Sequence, residues 1–340
     1  MQLFGLDFLQ SDAKNLLAFS GGADSSALFF LLQEKQISFD MAIVNYGTRE
    51  NCADEVAYAQ KLAQTYHKQI HVFQAPAIES NFEHNARVIR YRFFKQLSAV
   101  HNYTNIIVAH QLNDKLEWFL MQLCKGSGIV SLLGFHGISD FEGVRIVRPL
   151  INTSRNEILE YLHQNKIVFF NDVSNDDLQI KRNYFRHKIS NDLLLKHRNG
   201  ILRSFEILYR ESKFLESDTT NVKLLENLYI VKRAYNELRD LQNVDFALKR
   251  LGYVMSFKQR KEVCKANFSC GVGRNFIIDC NQSLLFIGRN HTNVQKPVPK
   301  KFREQCRKNK IPPKIRALLQ EAKYNVEEIR NLILDVSLGY

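Results

Sequence analysis

No Cys-x-x-Cys pair occurs anywhere in the 340 residues, and the six cysteines stand scattered at 52, 124, 264, 270, 280 and 306. Cys264 and Cys270 have no matching His/Cys pair, so neither a zinc framework nor a disulfide scaffold is expected; the thiols read as those of a reducing compartment. Long apolar runs are missing too. The longest, such as residues 27–32, are far too short to cross a bilayer. The N-terminus carries Asp7 and Asp12 and lacks a basic segment followed by an apolar one, so no signal peptide is expected. A cytoplasmic protein without membrane contact follows. Internal repeats and low-complexity tracts are absent. The mixture of 45% hydrophobic and 24% charged residues argues against disorder over most of the chain. Its length suits two or three domains.

Acidic residues thin out toward the end. Residues 201–340 hold 26 Lys/Arg against 15 Asp/Glu, whereas residues 1–200 hold 21 against 20. Almost all of the net charge of +12 therefore sits in the back half, and within 296–316 nine basic residues face Glu304 alone. Such a segment attracts polyanions, of which nucleic acid is the commonest, although a solvated basic surface would look the same by composition.

The first 150 residues alternate β-rich runs (16–20, 41–45, 70–74, 106–109, 144–147) with stretches whose apolar residues recur every three or four positions (24–35, 53–66, 85–101, 114–125). This alternation predicts an α/β fold, a parallel sheet with helices on both faces and function gathered beyond the carboxyl ends of the strands. A helix capped by Thr153 or Ser154 should cover 152–165. Residues 191–251 read as strongly helical, 276–279 and 284–287 as a hairpin, 295–300 as a linker and 301–310 as a basic helix before Ile311-Pro312-Pro313 and a last helical stretch. The expected division is a catalytic domain over 1–190, a helical linker or small helical domain over 191–255, and a basic α+β region over 256–340.

The strongest chemical signal is Ala18-Phe19-Ser20-Gly21-Gly22-Ala23-Asp24-Ser25-Ser26, a strand running into two glycines and straight into a helix. Glycines let backbone approach a ligand, and a helix start presents unpaired N–H groups and a positive dipole end. With the hydroxyls of Ser20, Ser25 and Ser26, this makes a cradle for phosphates. It contains neither the Gly-Lys-Ser/Thr of the P-loop nor a Gly-x-Gly-x-x-Gly fingerprint. Asp24 is unusual beside anions; it either caps the helix or holds a metal shared with the phosphates.

The string resembles the PP-motif of the N-type ATP pyrophosphatases, and four further strings resemble one branch of them, the tRNA(Ile)-lysidine synthetases. These are Val44-Asn45-Tyr46-Gly47-Thr48-Arg49; Asn81-Phe82-Glu83 leading into Ala86-Arg87-Val88-Ile89-Arg90-Tyr91; Ala109-His110-Gln111-Leu112-Asn113-Asp114-Lys115-Leu116-Glu117; and Asp172-x-Ser174-Asn175-x-Asp177 followed by Arg182-Asn183-x-x-Arg186. Gly126-x-Gly128, Leu133-Gly134-Phe135, Arg148-Pro149-Leu150 and Arg155-x-Glu157-Ile158 match as well. Tyr46, Thr48, Gln111, Asn113, Lys115 and Trp118 depart from the family pattern. The matches span about residues 15–187. The back half matches loosely through Phe302, Ile311-Pro312-Pro313 and Arg316, as if it carried a shortened C-terminal domain.

The resemblance implies an adenine nucleotide α-hydrolase-like PP-loop fold and an ATP-dependent carbon–nitrogen ligase with Mg²⁺. Its substrates would be L-lysine and the first anticodon cytidine of a CAU-anticodon tRNA(Ile), with no obligate protein partner. It further implies ATP binding by Ser20, Gly21, Gly22, Ala23, Asp24, Ser25 and Ser26, with Asp24 at the metal. Lysine would be bound by Arg90, Asp114 and Glu117, with Asp24, His110 and Asp114 catalytic. Candidate tRNA contacts are Arg182, Asn183, Arg186, Lys301, Arg303, Arg307 and Lys308. A tRNA thiolase of the same superfamily is the alternative; such enzymes use reactive cysteines, and Cys124 is the nearest to the implied site by sequence.

Overall fold

A computed structural model describes residues 1–10, 12–47, 52–170, 177–216, 222–225, 227–289 and 298–338. Thr48 and Arg49, together with Asp172, Ser174 and Asn175, lie outside the described residues, as does the first half of the expected 295–300 linker. The chain divides into two compact units, 1–209 and 210–340.

The first unit is built on a six-stranded sheet. In chain order its elements are β1 (Asn15–Ala18), α1 (Ala23–Glu34), β2 (Asp40–Asn45), α2 (Cys52–Thr65), β3 (Ile70–Gln74), α3 (Phe82–His101), β4 (Asn105–Ile107), α4 (Leu112–Leu123), α5 (Ile129–Leu132), β5 (Ile138–Phe141), β6 (Val144–Val147), α6 (Arg155–Gln164) and α7 (Lys181–Phe185). A single π-helical turn (Arg186–Ser190) joins α7 to α8 (Asn191–Glu216). The strand order is β3-β2-β1-β4-β6-β5. Pairs among the first five of these are parallel, and only β5 runs antiparallel, beside β6.

Alternation along the strands explains the layers, because successive side chains leave opposite faces. Leu17, Ile43, Ile107 and Val147 bury one face against Leu28, Phe29 and Leu32 of α1, Leu62 of α2 and Ile158 of α6. Leu16, Ala42, Ile106 and Ile146 bury the other against Tyr91, Phe93 and Phe94 of α3. The order reverses at β1, whose neighbours β2 and β4 lead away on either side, so the loops after β1 and β4 open at a topological switch point. Edge strand β5 was not anticipated. It is formed by a two-residue hairpin in which Glu142 (φ 51°) and Gly143 (φ 88°) both adopt the left-handed region that such tight turns require.

The second unit corrects the expectation of a strongly helical linker or small helical domain over 191–251. The end of α8 is followed by β7 (Val222–Leu225) and β8 (Leu228–Lys232), and only then by α9 (Glu237–Arg250) and α10 (Phe257–Lys265). These strands join β9 (Cys270–Val272), β10 (Phe276–Cys280) and β11 (Leu284–Arg289) in an antiparallel sheet of order β7-β8-β11-β10-β9. The reason is burial on both faces. Tyr229 and Val231 pack toward α9 and α10, while Leu228 and Ile230 pack toward the terminal helices α11 (Lys300–Lys308), α12 (Ile315–Glu321) and α13 (Val326–Leu338). A continuous apolar run of this kind has no period to separate it from a buried helix.

The expected boundaries at 190 and 255 also differ from the observed units. Leu194 and Phe205 of α8 pack on Leu112 and Leu116 of α4, which carries the first unit through to residue 209. The second sheet draws strands from both sides of residue 255, which places that position inside one unit.

Candidate active site

The double-glycine turn closes as its composition requires. Gly21 has φ +74°, and a Cβ there would meet the Phe170 ring at 3.4 Å and Glu55 at 3.5 Å. The Gly21 carbonyl accepts from the Phe170 amide (2.9 Å) and the Ser26 hydroxyl (3.3 Å). Ser25 Oγ accepts from the Ser20 amide (3.2 Å) and lies 3.1 Å from Ser20 Oγ. Gly22 is the N-cap of α1 and offers no side-chain cap, so the first amides of the helix have no side chain competing for them at that position.

This cradle forms one wall of a cleft of about 380 Å³ lined by Ser20, Gly22, Ala23, Asp24 and Ser25, by Tyr46, Glu55 and Arg90, and by His110, Asp114, Arg155, Phe170, Arg182 and Arg186. Ten of the sequence-expected residues thus share one space: Ser20, Gly22, Ala23, Asp24, Ser25, Arg90, His110, Asp114, Arg182 and Arg186. Gly21 and Ser26 brace the turn from behind, and Glu117 is fully buried beneath Asp114. Asn183 does not line the cleft; it is buried and its amide donates to the Asp177 carbonyl at 3.1 Å. Lys301, Arg303, Arg307 and Lys308 lie on α11 in the second unit, all exposed, around the buried Cys306.

The acidic pair is held differently from what the sequence suggested. Asp114 and Glu117 lie three apart on α4, and Arg182 and Arg186 lie four apart across α7 and the π turn, so both pairs present one face. Arg182 donates to Asp114 Oδ1 (2.6 Å) and Glu117 Oε2 (3.0 Å). Arg186 donates to Glu117 Oε1 (2.9 Å), Glu117 Oε2 (3.2 Å) and Asp114 Oδ1 (3.3 Å). Burial alone would raise the Asp114 carboxyl, but Arg182, Arg186 and the Gln111 amide outweigh it and hold Asp114 below its ordinary range. Glu117 is pushed up, by burial and by the neighbouring Asp114 charge, against both arginines. Arg182 is raised, chiefly by Asp114.

Asp24 is pushed up to about 7, first by burial and then by Asp114, with Arg155 and Arg186 opposing. Its Oδ2 lies 3.9 Å from Arg155 Nη1, and its buried Oδ1 has no hydrogen-bond partner. A carboxylate oxygen left bare beside a phosphate cradle suits a cation shared with the phosphates. His110 is pushed down to about 3 by burial, with Arg148, Arg182 and Arg90 adding to the effect and Asp114 opposing it.

Four of the departures from the family pattern have structural explanations. Gln111 caps α4, taking the Asn113 amide on its side chain (2.6 Å), while its own amide donates to Asp114 Oδ2 (2.9 Å). Asn113 donates to Asn191 Oδ1 (2.8 Å) and accepts from the Arg155 amide (3.0 Å), tying together the starts of α4, α6 and α8. Trp118 Nε1 donates to the Ser131 carbonyl (3.0 Å). Lys115 places its ammonium 4.6 Å from the Phe205 ring centroid. Arg148 and Arg155 match the family pattern but carry no expected role. Their signal was a basic residue just past a parallel strand and another opening the next helix, where anion-binding groups gather. Cys124 follows α4 about ten residues beyond Asp114, or roughly 15 Å along the axis, and no cysteine is among the described residues that line the cleft.

A parallel sheet with a Ser-Gly-Gly-x-Asp-Ser cradle at its switch point defines a PP-loop domain that uses ATP, and the PP-loop domain family matches residues 3–193. The chain is 41% identical over 308 residues to a tRNA(Ile)-lysidine synthase of Helicobacter pylori (strain 26695), covering 91% of this chain and 90% of that one. It is 39% identical over 345 residues to one from Helicobacter hepaticus, covering 90% and 81%. For one from Campylobacter jejuni (strain RM1221) the identity is 38% over 321 residues, covering 94% and 97%. The chain belongs to the tRNA(Ile)-lysidine synthase family.

Proposed function

We propose that the chain ligates L-lysine to ring carbon 2 of the first-anticodon cytidine of CAU-anticodon tRNA(Ile), through an adenylated cytidine. The cytosine carbonyl oxygen attacks the α phosphate of ATP and pyrophosphate leaves; the lysine ε-amine then attacks carbon 2 and AMP leaves. The observation that carries this reading is a buried acidic pair: Asp114 lines the same cleft as the phosphate cradle, and Glu117 lies one helical turn behind it. The protein's task is to hold three reactants in line and to offset charge on the phosphates.

Ser20, Ser25 and the first amides of α1 hold phosphate oxygens. Asp24 would hold Mg²⁺ through its bare Oδ1, and the metal would neutralise phosphate charge when bound. Arg90 and Arg155 add positive charge along the same walls. An ammonium entering the acidic pair exchanges with the Arg182 guanidinium, one cation for another, so the carboxylates stay balanced. Arg182 is the partner to leave, because it is the more exposed of the two, at 32% against 11% for Arg186. Of the two carboxylates, Glu117 is the better proton acceptor for the amine, since burial and Asp114 both raise it.

The exposed cations of α11 suit tRNA phosphates, and affinity through them should fall steeply with added salt. The deciding experiment is mass analysis of tRNA(Ile) incubated with the protein, ATP and lysine. A lysine-sized gain on a single anticodon cytidine is expected, and unmodified tRNA with ATP present would refute the reading.

A further inference from the structure

Arg148 follows β6, and His110 lies just past β4, the strand beside it. Arg148 Nε lies 3.2 Å from His110 Nδ1. Its Nη1 donates to the His136 carbonyl (2.8 Å) and to Ser139 Oγ (2.9 Å), so the guanidinium is fixed from a second side. The guanidinium packs 5.2 Å from the Phe135 ring centroid, and that ring meets the His110 imidazole edge-on at 5.1 Å. Arg148 is buried throughout. A guanidinium carries donors and no acceptor. The nitrogen it faces can therefore only accept, and the ring proton must reside on the other nitrogen.

We propose that Arg148 is a positioning residue that locks His110 in the Nε2–H tautomer, so that His110 serves the cleft as a neutral hydrogen-bond donor and not as a base. The role toward ATP rests on the function proposed above; the tautomer does not. Three further features agree. His110 lines the cleft while its Nδ1 is taken by Arg148, which leaves Nε2 for a ligand oxygen. Burial and the nearby arginines keep the imidazole uncharged through the neutral range. A fixed neutral donor aimed at oxygens on which charge builds needs no proton transfer to act, whereas a general base works best with a pKa near the operating pH.

The tautomer is read directly by nitrogen NMR of the full chain labelled with ¹⁵N-histidine, with the His110 signals assigned by their loss in His110→Gln. The expected result is a pyridine-like Nδ1 and a pyrrole-like Nε2, unchanged when the pH is lowered to about 5, well below the ordinary histidine pKa. A pyrrole-like Nδ1 in the wild-type protein would overturn the proposal. Arg148→Met removes the donor, and Arg148→Lys keeps one. In Arg148→Met, His110 should show mixed tautomers and titrate in the ordinary range. Its kcat should fall about 10²-fold, the scale of losing one aimed donor, with KM for ATP little changed. Arg148→Lys should recover much of both signals. A wild-type spectrum retained in Arg148→Met would also defeat the proposal. Should Arg148→Met fail to fold, the wild-type spectrum alone still decides. The expected spectrum without any lysine-dependent turnover would support the tautomer and sink the function proposed above.

Discussion

The phosphate cradle and the acid–arginine cluster face the same cleft, yet they are held in opposite ways. The cradle is mostly backbone. A positive-φ glycine, the start of α1 and three short hydroxyls set its shape, with most of its bonds among residues 20–26 and to the Phe170 amide. The cluster is all side-chain charge, two carboxylates and two guanidiniums joined by five hydrogen bonds between helices. A backbone cradle is rigid and neutral when empty. A buried ionic cluster is satisfied only while every partner is present, so a substrate cation must replace a cation already there.

The largest expected effect is at the cluster. Asp114→Asn keeps a polar group at the α4 cap but removes the charge, leaving two guanidiniums short of a partner. Lysine-dependent turnover should fall more than about 10³-fold, and urea unfolding should show a loss of about 3 kcal/mol, the scale for breaking a buried pair. Near-normal turnover would remove Asp114 from the mechanism. In the cradle, Gly21→Ala forces a side chain into the left-handed region against Phe170 and Glu55. A stability loss of about 1–2 kcal/mol is expected, with a raised KM for ATP and an unchanged KM for lysine. A rise in both would erase the distinction between the two regions.

The exchange idea separates the two arginines. Arg182→Gln should tighten binding of free lysine in equilibrium dialysis, since the competitor is gone, while kcat falls. Arg186→Gln should weaken lysine binding and lower stability more, because Arg186 is the more buried. Equal effects would mean that neither arginine yields to the substrate. The smallest effect concerns Lys115, next to Asp114 in sequence but stacked on Phe205. Burial lowers its pKa from 10.5 to about 8. Between those values the unfolded chain binds more protons than the folded one, so stability should rise with pH from about 8 to 10.5. Lys115→Gln should abolish that rise and lift the melting temperature at pH 7 by about 2–4 °C. Thermal melts across that pH range check both.

Strand–helix alternation revealed the parallel sheet because burial on its two faces leaves short, separable apolar runs. The same reading missed β7 and β8, where Leu228–Val231 is buried on both faces with no alternation to mark it. The hairpin β5–β6 was half visible. Val144–Val147 is apolar and β-branched apart from Arg145, while Ile138–Phe141, with Ser139 and Asp140 at the sheet edge, is mixed in polarity.

Local sequence determined the cradle, since seven contiguous residues carry the glycines, the hydroxyls and the helix start, and short-range geometry does the rest. It also determined that Asp114 and Glu117 share a helix face, because helical spacing alone puts them there. Only the tertiary structure decided what those carboxylates touch. Arg182 and Arg186 reach them across 65 to 72 residues, and Arg148 reaches His110 across 38. A charged side chain announces its charge in the sequence but not its partner, because the partner is chosen by the packing of α4 against α7 and by the order of the strands. That choice makes Asp114 a firm anion and His110 a neutral ring, states that neither residue type nor spacing could have set.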